Sequence, residues 1–308
     1  MFIGPSNMVR FPESFFQLFS THSDANQLAK SIILDVRLPR VLLTFFVGAA
    51  LSVSGGALQS VFRNPLVSPY ILGLSSGAAF GAAFAIATSL LPMQLSAFIF
   101  GFASVGLCYL IASQKRQISM VSLILAGIIV NGIFTALLTI TQYLADPFKL
   151  QSIVYWTMGN LHNSNWTKFL SSVIPISIGI LVIIVFRWRL NVLSLGDDEA
   201  RTSGINPTRN KLIFVLAATL ASSAAVAVAG IIGLYGLIIP HIVRMLNGPD
   251  NRTAVFQNIF FGGTFLVLID DFSRSVWDFE IPIGVFTMLI GAPVFIYIMR
   301  KSNVGWDR

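Results

Sequence analysis

The sequence predicts an all-α protein, a polytopic bundle of transmembrane helices, from its composition and from the spacing of its charges. Of its 308 residues, 55% are hydrophobic and only 11% are charged, with a mean hydropathy of +0.78, whereas soluble globular domains carry roughly 25% charged residues. No charge occurs in the 51 residues between Arg63 and Lys115 or in the 29 between Arg116 and Asp146. The chain is therefore predicted to be a membrane protein.

Cysteine, histidine and charge patterns exclude other classes. The single Cys108 rules out a disulfide scaffold, and His22, His162 and His241 are too far apart in sequence to form a Cys/His metal cage. The net charge of +7 is not gathered into one basic segment, so nucleic acid is not an expected partner. We expect no metal site and no catalytic residue in this chain.

Eight or nine membrane spans are predicted, because a crossing helix needs about 20 mostly apolar residues. In chain order they are residues 41–61, 67–90, 94–112, 119–144, 168–186, 211–230, 234–246, 254–271 and 281–299. Leu91-Pro92-Met93 divides the second span from the third. The seventh span is short and interrupted by Gly236 and Pro240, so it is expected to be a broken helix packed inside protein.

The distribution of Lys and Arg predicts the orientation, because cytoplasmic loops of membrane proteins are enriched in positive charge. With the C-terminus in the cytoplasm, 13 of the 20 Lys and Arg residues fall on that side, and the outer face holds 7 of them with 8 of the 13 acids. Nine spans then place the N-terminus outside. Residues 1–36 contain no export signal, so either a further helix precedes Met1, which we favour, or this chain dispenses with that helix.

Small residues at a spacing of four predict close helix packing, since they allow backbones to approach within a membrane. They are Ser52 and Gly56, Gly77 and Gly81, and Ala221, Ala225 and Ala229. The main polar residues inside the spans are Asn131, Gln59 and His241, which are expected to be hydrogen-bonded packing residues.

Residues 195–211, LGDDEARTSGINPTRNK, form a charged segment in a chain that otherwise avoids charge. Asp197 and its two acidic neighbours suit the first turn of a short helix, and Gly204 suits a left-handed C-terminal cap. The segment is either a solvated loop or a rigid docking element for a cytoplasmic partner. No phosphate-binding GxxxxGK[ST] motif occurs, so any ATP hydrolysis is expected in a separate subunit.

Six runs of sequence resemble the FecCD-type permeases of type II ABC importers, a family that carries iron-siderophores, haem, cobalamin and, in some branches, molybdate or tungstate. The runs occur in the family order and are residues 37–81, 123–134, 154–161 (VYWTMGNL), 195–206, 233–246 and 281–301. The resemblance is specific for the family but not for the cargo.

The resemblance implies one permease domain over residues 1–308, of ten spans in the family, which forms a homodimer with a central translocation path. It implies two cytoplasmic ATPases, which bind ATP and Mg, a periplasmic binding protein, a location in the bacterial inner membrane, and no cofactor on this chain. The implied ATPase-coupling residues, within segment 195–206, are Gly196, Glu199, Ala200, Arg201 and Gly204. The implied outward residues for the binding protein are Arg37, Arg40 and Arg274, although Arg274 is one residue closer to Glu280 than expected. The implied cytoplasmic gate is Asn64, Leu66, Ser119 and Met120.

Three functions stay open at this point. The first is import of a metal chelate of the iron-siderophore, haem or cobalamin type. The second is import of a molybdate or tungstate oxyanion by the same class of importer, which spans without basic residues would disfavour. The third is a stand-alone ion-coupled carrier, which would normally place charged residues inside its spans.

Overall fold

The structure, a computed structural model, describes residues 30–113, 120–275 and 279–301, without the side chains of residues 120 and 298–301. This part of the chain folds into eleven helices and contains no strand. The helices are α1 (Ile32–Val61, π-helical over Ile32–Arg37), α2 (Leu74–Thr88), α3 (Met93–Ala112), α4 (Met120–Leu144), α5 (Pro147–Thr157), α6 (Trp166–Leu195), α7 (Asp197–Thr202), α8 (Pro207–Ala229), α9 (Tyr235–Asn247), α10 (Asn251–Ser275) and α11 (Ile283–Lys301). The predicted all-helical membrane architecture is confirmed.

Helices α1 and α8 form the centre of the bundle. Helix α1 packs against α6, α8, α9 and α10, and α8 also contacts α3 and α6. In the most apolar window of each of these two helices 78% of the residues are buried, against 28% for α4 and for α6. Helices α4 and α6 therefore lie at the periphery, where their apolar faces are available to lipid or to another chain.

Glycine allows neighbouring helices of the bundle to pack with their backbones in contact. A Cβ atom on Gly55 of α1 would overlap the carbonyl group of Gly236 in α9, and one on Gly77 of α2 would lie 2.5 Å from the Cβ of Ser104 in α3. Ser52 donates a hydrogen bond to Asn258 of α10 at 2.8 Å. Small residues at a spacing of four thus provide close packing, as predicted.

The second predicted span begins later than hydropathy indicates. Residues 62–73 form successive turns, with hydrogen bonds from Val67 N to Asn64 O (3.3 Å) and from Ile71 N to Ser68 O (3.1 Å), and α2 starts only after Gly73 at φ 92°. The prediction of a helix from residue 67 is corrected because Pro69 and the left-handed Gly73 interrupt the helical hydrogen bonds. The apolar side chains of this segment are therefore buried by a series of turns and not by a membrane-spanning helix.

Two further boundaries differ from the prediction. Helix α6 continues to Leu195 instead of ending at residue 186, and the loop over residues 145–166 contains the short helix α5. The loop is fixed to the bundle: Asn160 N donates to Ala229 O (2.8 Å) and Gly284 N donates to Gly159 O (3.3 Å). The run VYWTMGNL therefore joins the end of α5 to the ends of α8 and α11.

The bundle has two distinct ends. The α7 end holds the C-termini of α1, α6 and α9, the N-termini of α8 and α10, and the short helix α7 between them. The opposite end holds α5, the N-termini of α1, α6 and α11, and the C-termini of α8 and α10. The candidate sites lie at these two ends.

Candidate functional site

Helix α7 is formed by local sequence signals that the charged segment predicted. Gly196 precedes it at φ 150°, and Asp197 is the first of three acidic residues in its first turn. Gly204 follows it at φ 76°, in the left-handed region, and Ile205 N donates to Ala200 O at 2.8 Å. The short helix and the glycine cap are both confirmed.

Contacts on one face hold α7 rigidly against the bundle. Ala200 is fully buried, and the Lys211 ammonium, itself buried at the start of α8, lies 2.7 Å from Asp197 Oδ1. The opposite face exposes Asp198, Glu199 and Arg201, with Arg201 Nη1 2.7 Å from Asp198 Oδ1. The segment is therefore a fixed helix with a charged exposed face, and its role in docking stays a prediction.

The turn that contains two of the predicted gate residues lies beside the start of α7. Asn64 Oδ1 accepts a hydrogen bond from Leu66 N at 2.7 Å, and the Leu66 side chain is 42% exposed. Arg63, at φ 51°, extends to Gly196: a Cβ placed on Gly196 would lie 3.5 Å from Arg63 Nη1. The coupling residues and this half of the gate are thus neighbours in the fold.

The other half of the predicted gate is not tested by the structure. Ser119 lies outside the described residues, and Met120 starts α4 but its side chain is not among those described. A gate formed by these residues with Asn64 and Leu66 stays a prediction.

At the opposite end, Arg40 of α1 is the centre of an ion-pair cluster. Its Nη2 lies 2.8 Å from Asp270 Oδ1, its Nε 3.0 Å from Asp270 Oδ2, and its Nη1 3.1 Å from Glu280 Oε1. Arg40 is only 9% exposed, and Asp270, near the end of α10, is nearly fully buried. Arg40 was expected to meet carboxylates of a partner protein. The chain itself supplies two carboxylates to Arg40, those of Asp270 and Glu280.

Arg274 and Arg37 lie in the same region and are also buried. Arg274 pairs with Asp271 through Nη2 and has its Nε 3.8 Å from Asp270 Oδ2. The three arginines predicted for docking are thus brought together, but by internal contacts and with little exposed surface. Their role in docking stays a prediction.

Glu280 is the most accessible carboxylate of this cluster. His162 Nδ1 lies 3.1 Å from Glu280 Oε2, and the Glu280 side chain is 29% exposed. Burial alone would raise the pKa of Glu280, but hydrogen bonds from Arg40 and His162 outweigh it and hold this pKa below its ordinary value of 4.5. Glu280 is therefore ionised near neutral pH and fixes Arg40 from the outer side.

Sequence reasoning missed the carboxylates of this cluster, Asp270 and Glu280, as well as His162. The available signal was that Asp270 and Asp271 precede Arg274 on α10 by four and three residues, which is about one helical turn. The separation of Arg40 from Asp270 by 230 residues gave no signal at all.

A polar network at the α7 end was also missed. Asn191 of α6 accepts a hydrogen bond from Asn251 N (2.8 Å) through Oδ1 and donates to Asp250 Oδ1 (2.6 Å) through Nδ2, while Ser60 of α1 donates to Asn251 Oδ1 (2.8 Å). Hydrogen bonds from Arg252 N and from the Asn191 side chain lower the pKa of Asp250, which lies outside the spans. The network joins α1, α6 and α10 beside α7.

The polar residues inside the spans are packing residues in two of three cases. Asn131 donates to Ile71 O (3.2 Å) and accepts from Ser76 Oγ (2.8 Å), and Gln59 donates to Leu237 O (3.2 Å) and accepts from Arg244. His241 differs, because its buried Nε2 has no hydrogen-bond partner. Among the described residues no group of three or more His, Cys, Asp and Glu side chains could hold a metal ion.

Comparison with known proteins gives one consistent family. The sequence matches the FecCD transport family over residues 1–301. It is 40% identical over 291 residues to the permease protein of a molybdate import system from Haemophilus influenzae, covering 93% of this chain and 86% of that one. It is 36% identical over 311 residues to the permease protein of a hemin transport system from Yersinia pestis, covering 98% and 92%.

A solved structure agrees with these sequence matches. It is described as an inward-facing conformation of a metal-chelate type ABC transporter, and it superimposes with a TM-score of 0.85 at 36% identity, covering 94% of this chain and 95% of that one. The helical arrangement described above is therefore that of a permease of this type.

Proposed function

The chain belongs to the FecCD transport family, and on this premise we infer that it is the membrane permease subunit of an ATP-driven ABC importer. It is a transport subunit and a multi-pass membrane protein. The observation that carries this inference is the family match over residues 1–301, and it is supported by a rigid, charged helix α7 at one end of an apolar bundle.

We propose that two cytoplasmic ATPases, which bind and hydrolyse ATP with Mg, dock on the importer, each on helix α7 of one copy of the chain. The exposed Glu199 and Arg201 would contact them, while Gly196, Ala200 and Gly204 would fix the shape of the helix. A periplasmic binding protein would deliver cargo at the opposite end, where the residues predicted to meet it are Arg37, Arg40 and Arg274. Two copies would form a homodimer with the translocation path between them, in the bacterial inner membrane.

We propose that this chain crosses the membrane nine times. Six helices are long and apolar enough to cross a membrane, α2 and Ile283–Tyr297 of α11 are shorter apolar helices, and α9 is shorter still. Short or interrupted helices suit a membrane protein where neighbouring helices satisfy the freed backbone groups. The C-terminus and α7 then lie in the cytoplasm.

Cysteine labelling tests this orientation. In a Cys108→Ser background, a cysteine at residue 201 should be protected from an impermeant reagent in intact spheroplasts, because α7 faces the cytoplasm. A cysteine at residue 163, which is exposed between α5 and α6 at the opposite end, should be labelled. Labelling at 201 with protection at 163 would invert the assignment.

The proposed cargo is a metal chelate of the iron-siderophore, haem or cobalamin type. A molybdate-type oxyanion is the second candidate, favoured by the relative from Haemophilus influenzae. Arg244, the basic residue of α9, lies in its last turn at the α7 end and donates a hydrogen bond to Gln59 of α1, so it does not overturn the expectation that the interiors of the spans lack basic residues. Titration of the partner binding protein with a ferric chelate, haem, cobalamin and molybdate distinguishes the two cargo classes.

A valine at residue 204 should separate ATP hydrolysis from transport. Gly204 has φ 76°, and a left-handed backbone costs a residue with a Cβ about 1–2 kcal/mol, more for a β-branched one. The cap of α7 should rearrange, so uptake should fall at least tenfold while ATP is still hydrolysed. The measurement is ATP-driven uptake in proteoliposomes that contain the permease, its ATPase and its binding protein.

Gly204→Asn is the matched control, because asparagine tolerates the left-handed region and a Cβ here meets no atom within 4 Å. It should retain most of the uptake. Uptake without ATP that follows an ion gradient would instead show an ion-coupled carrier. Full uptake by the Gly204→Val variant would contradict the docking role and show that α7 is only a solvated connection.

A further inference from the structure

Helix α6 presents an apolar face to its surroundings that matches the thickness of a bilayer. One side of the helix is exposed along its whole length, at Trp166, Leu170, Ile174, Ile178, Leu181, Val185 and Trp188. From Trp166 to Trp188 the helix rises about 33 Å, close to the hydrocarbon thickness of about 30 Å. Tryptophan at both ends of such a face is typical of the two membrane–water interfaces.

Two arginines flank Trp188 at the α7 end of this face. The Arg187 guanidinium carbon lies 5.0 Å from the ring centre of Phe256 in α10, and Nη1 donates to Ile184 O at 2.9 Å. The Arg189 guanidinium carbon lies 4.4 Å from the Phe186 ring, and Nη1 donates to Asn210 Oδ1 in the first turn of α8 at 2.9 Å. Aromatic rings and helix ends thus hold both side chains in place.

Neither arginine is neutralised by a residue of the described part of the chain. None of the ion pairs of the described residues includes Arg187 or Arg189, and the Nε atom of each is buried without a hydrogen-bond partner. A partly buried guanidinium normally acquires a carboxylate or phosphate as partner. Lys211, a buried cation of this end, has such a partner in Asp197.

An anion at the edge of the bilayer suits both arginines, because they lie on the two flanks of the lipid-facing surface at Trp188. The phosphodiester of an anionic phospholipid meets both conditions, since its acyl chains would lie along Val185, Leu181 and Ile178 while its phosphate reaches the arginines. A second copy of the chain fits less well. A two-fold contact centred on this face would bring arginines toward arginines without a carboxylate between them.

We propose that Arg187 and Arg189, on the two flanks of Trp188, each bind the headgroup of an anionic phospholipid in the leaflet on the α7 side. The Arg189 site includes Asn210, 14 residues after Gly196, so a lipid bound there would contact both helices that are joined through α7. This assignment depends only on the membrane location of the chain and not on its cargo or its ATPase.

Native mass spectrometry of the purified full chain tests the site by titration with phosphatidylglycerol or phosphatidylcholine. Phosphatidylglycerol should bind more tightly, and Arg187→Gln/Arg189→Gln should weaken it about tenfold, because each basic side chain contributes to binding of an anionic lipid. Binding of phosphatidylcholine should not change. Arg187→Lys/Arg189→Lys should fall between the two, since it retains the charge but loses the bidentate geometry.

Lys149→Gln/Arg201→Gln is the control for charge, because it removes two positive charges away from the α6 face; it should bind phosphatidylglycerol normally. Equal phosphatidylglycerol affinity in the Arg187→Gln/Arg189→Gln variant and the unmodified protein would overturn the proposal. If this double variant is poorly folded, the single variants Arg187→Gln and Arg189→Gln replace it, and unchanged phosphatidylglycerol affinity in both would overturn the proposal. Disulfide-linked dimers of Ile178→Cys in a Cys108→Ser background would also overturn it by showing that a second copy covers this face.

Discussion

Replacing Gly55 with alanine should prevent the bundle from assembling in its native form. The added Cβ would overlap the Gly236 carbonyl group and lie 3.0 Å from the Gly236 Cα, so the obstacle is backbone and cannot rotate away. Helices α1 and α9 would have to separate, although α1 also packs against three other helices. The cost should exceed the about 1–3 kcal/mol typical of an overpacked core, and we expect loss of a monodisperse peak in size-exclusion chromatography.

Gly106→Ala in α3 is the matched control. It makes the same chemical change in a helix, but no atom lies within 4 Å of the new Cβ, and alanine favours the helix by about 1 kcal/mol over glycine. Its melting temperature in detergent should equal or exceed that of the unmodified protein. A Gly55→Ala protein that melts at the unmodified temperature would show that α1 and α9 are not in backbone contact.

Sequence reasoning was most accurate where the structure is local. Helix α7, its acidic first turn and the left-handed Gly204 follow from residues within ten positions of each other, and they were predicted correctly. The spacing of small residues likewise indicated close packing. It could not show that Gly55 meets Gly236, because the partner of a glycine is set by the three-dimensional arrangement of α1 and α9 rather than by either helix alone.

The errors have physical causes of the same kind. Hydropathy detects burial but not hydrogen bonding, so the buried turns around Pro69 were assigned to a helix. The prediction of outward arginines at the opposite end contained no information on their burial, which the structure shows. Their burial depends on Asp270 and Glu280, which reach Arg40 only through the pairing of α1 with α10 and with the segment before α11.

Removing the carboxylate of Asp270 should destabilise the protein much more than removing that of Glu280. Asp270→Asn leaves Arg40 without its main buried partner, and breaking a buried ion pair costs about 3–5 kcal/mol. Glu280→Gln removes a partly exposed partner, which contributes about 1 kcal/mol or less. Melting temperatures of the two purified variants should therefore differ clearly, with Asp270→Asn the lower.

The Glu280→Gln variant also decides whether Arg40 serves in docking. Arg40→Glu would place a third carboxylate beside Asp270 and Glu280, so any loss of binding would follow from misfolding. Glu280→Gln instead frees the outer side of Arg40 in an intact fold, and a docking role predicts tighter capture of the loaded binding protein. The effect should be largest at low salt, where charge pairs across an interface contribute most.

The comparison should be made near neutral pH, where Glu280 is fully charged. The pKa of Glu280 is lowered by folding, so its contribution to stability is complete above 4.5 and is lost as the pH falls through the lower folded value. Equal affinity for the binding protein in Glu280→Gln and in the unmodified permease, at low ionic strength in nanodiscs, would assign Arg40 to the stability of the fold alone. Docking would then depend on the exposed residues of the loops around α5 and before α11.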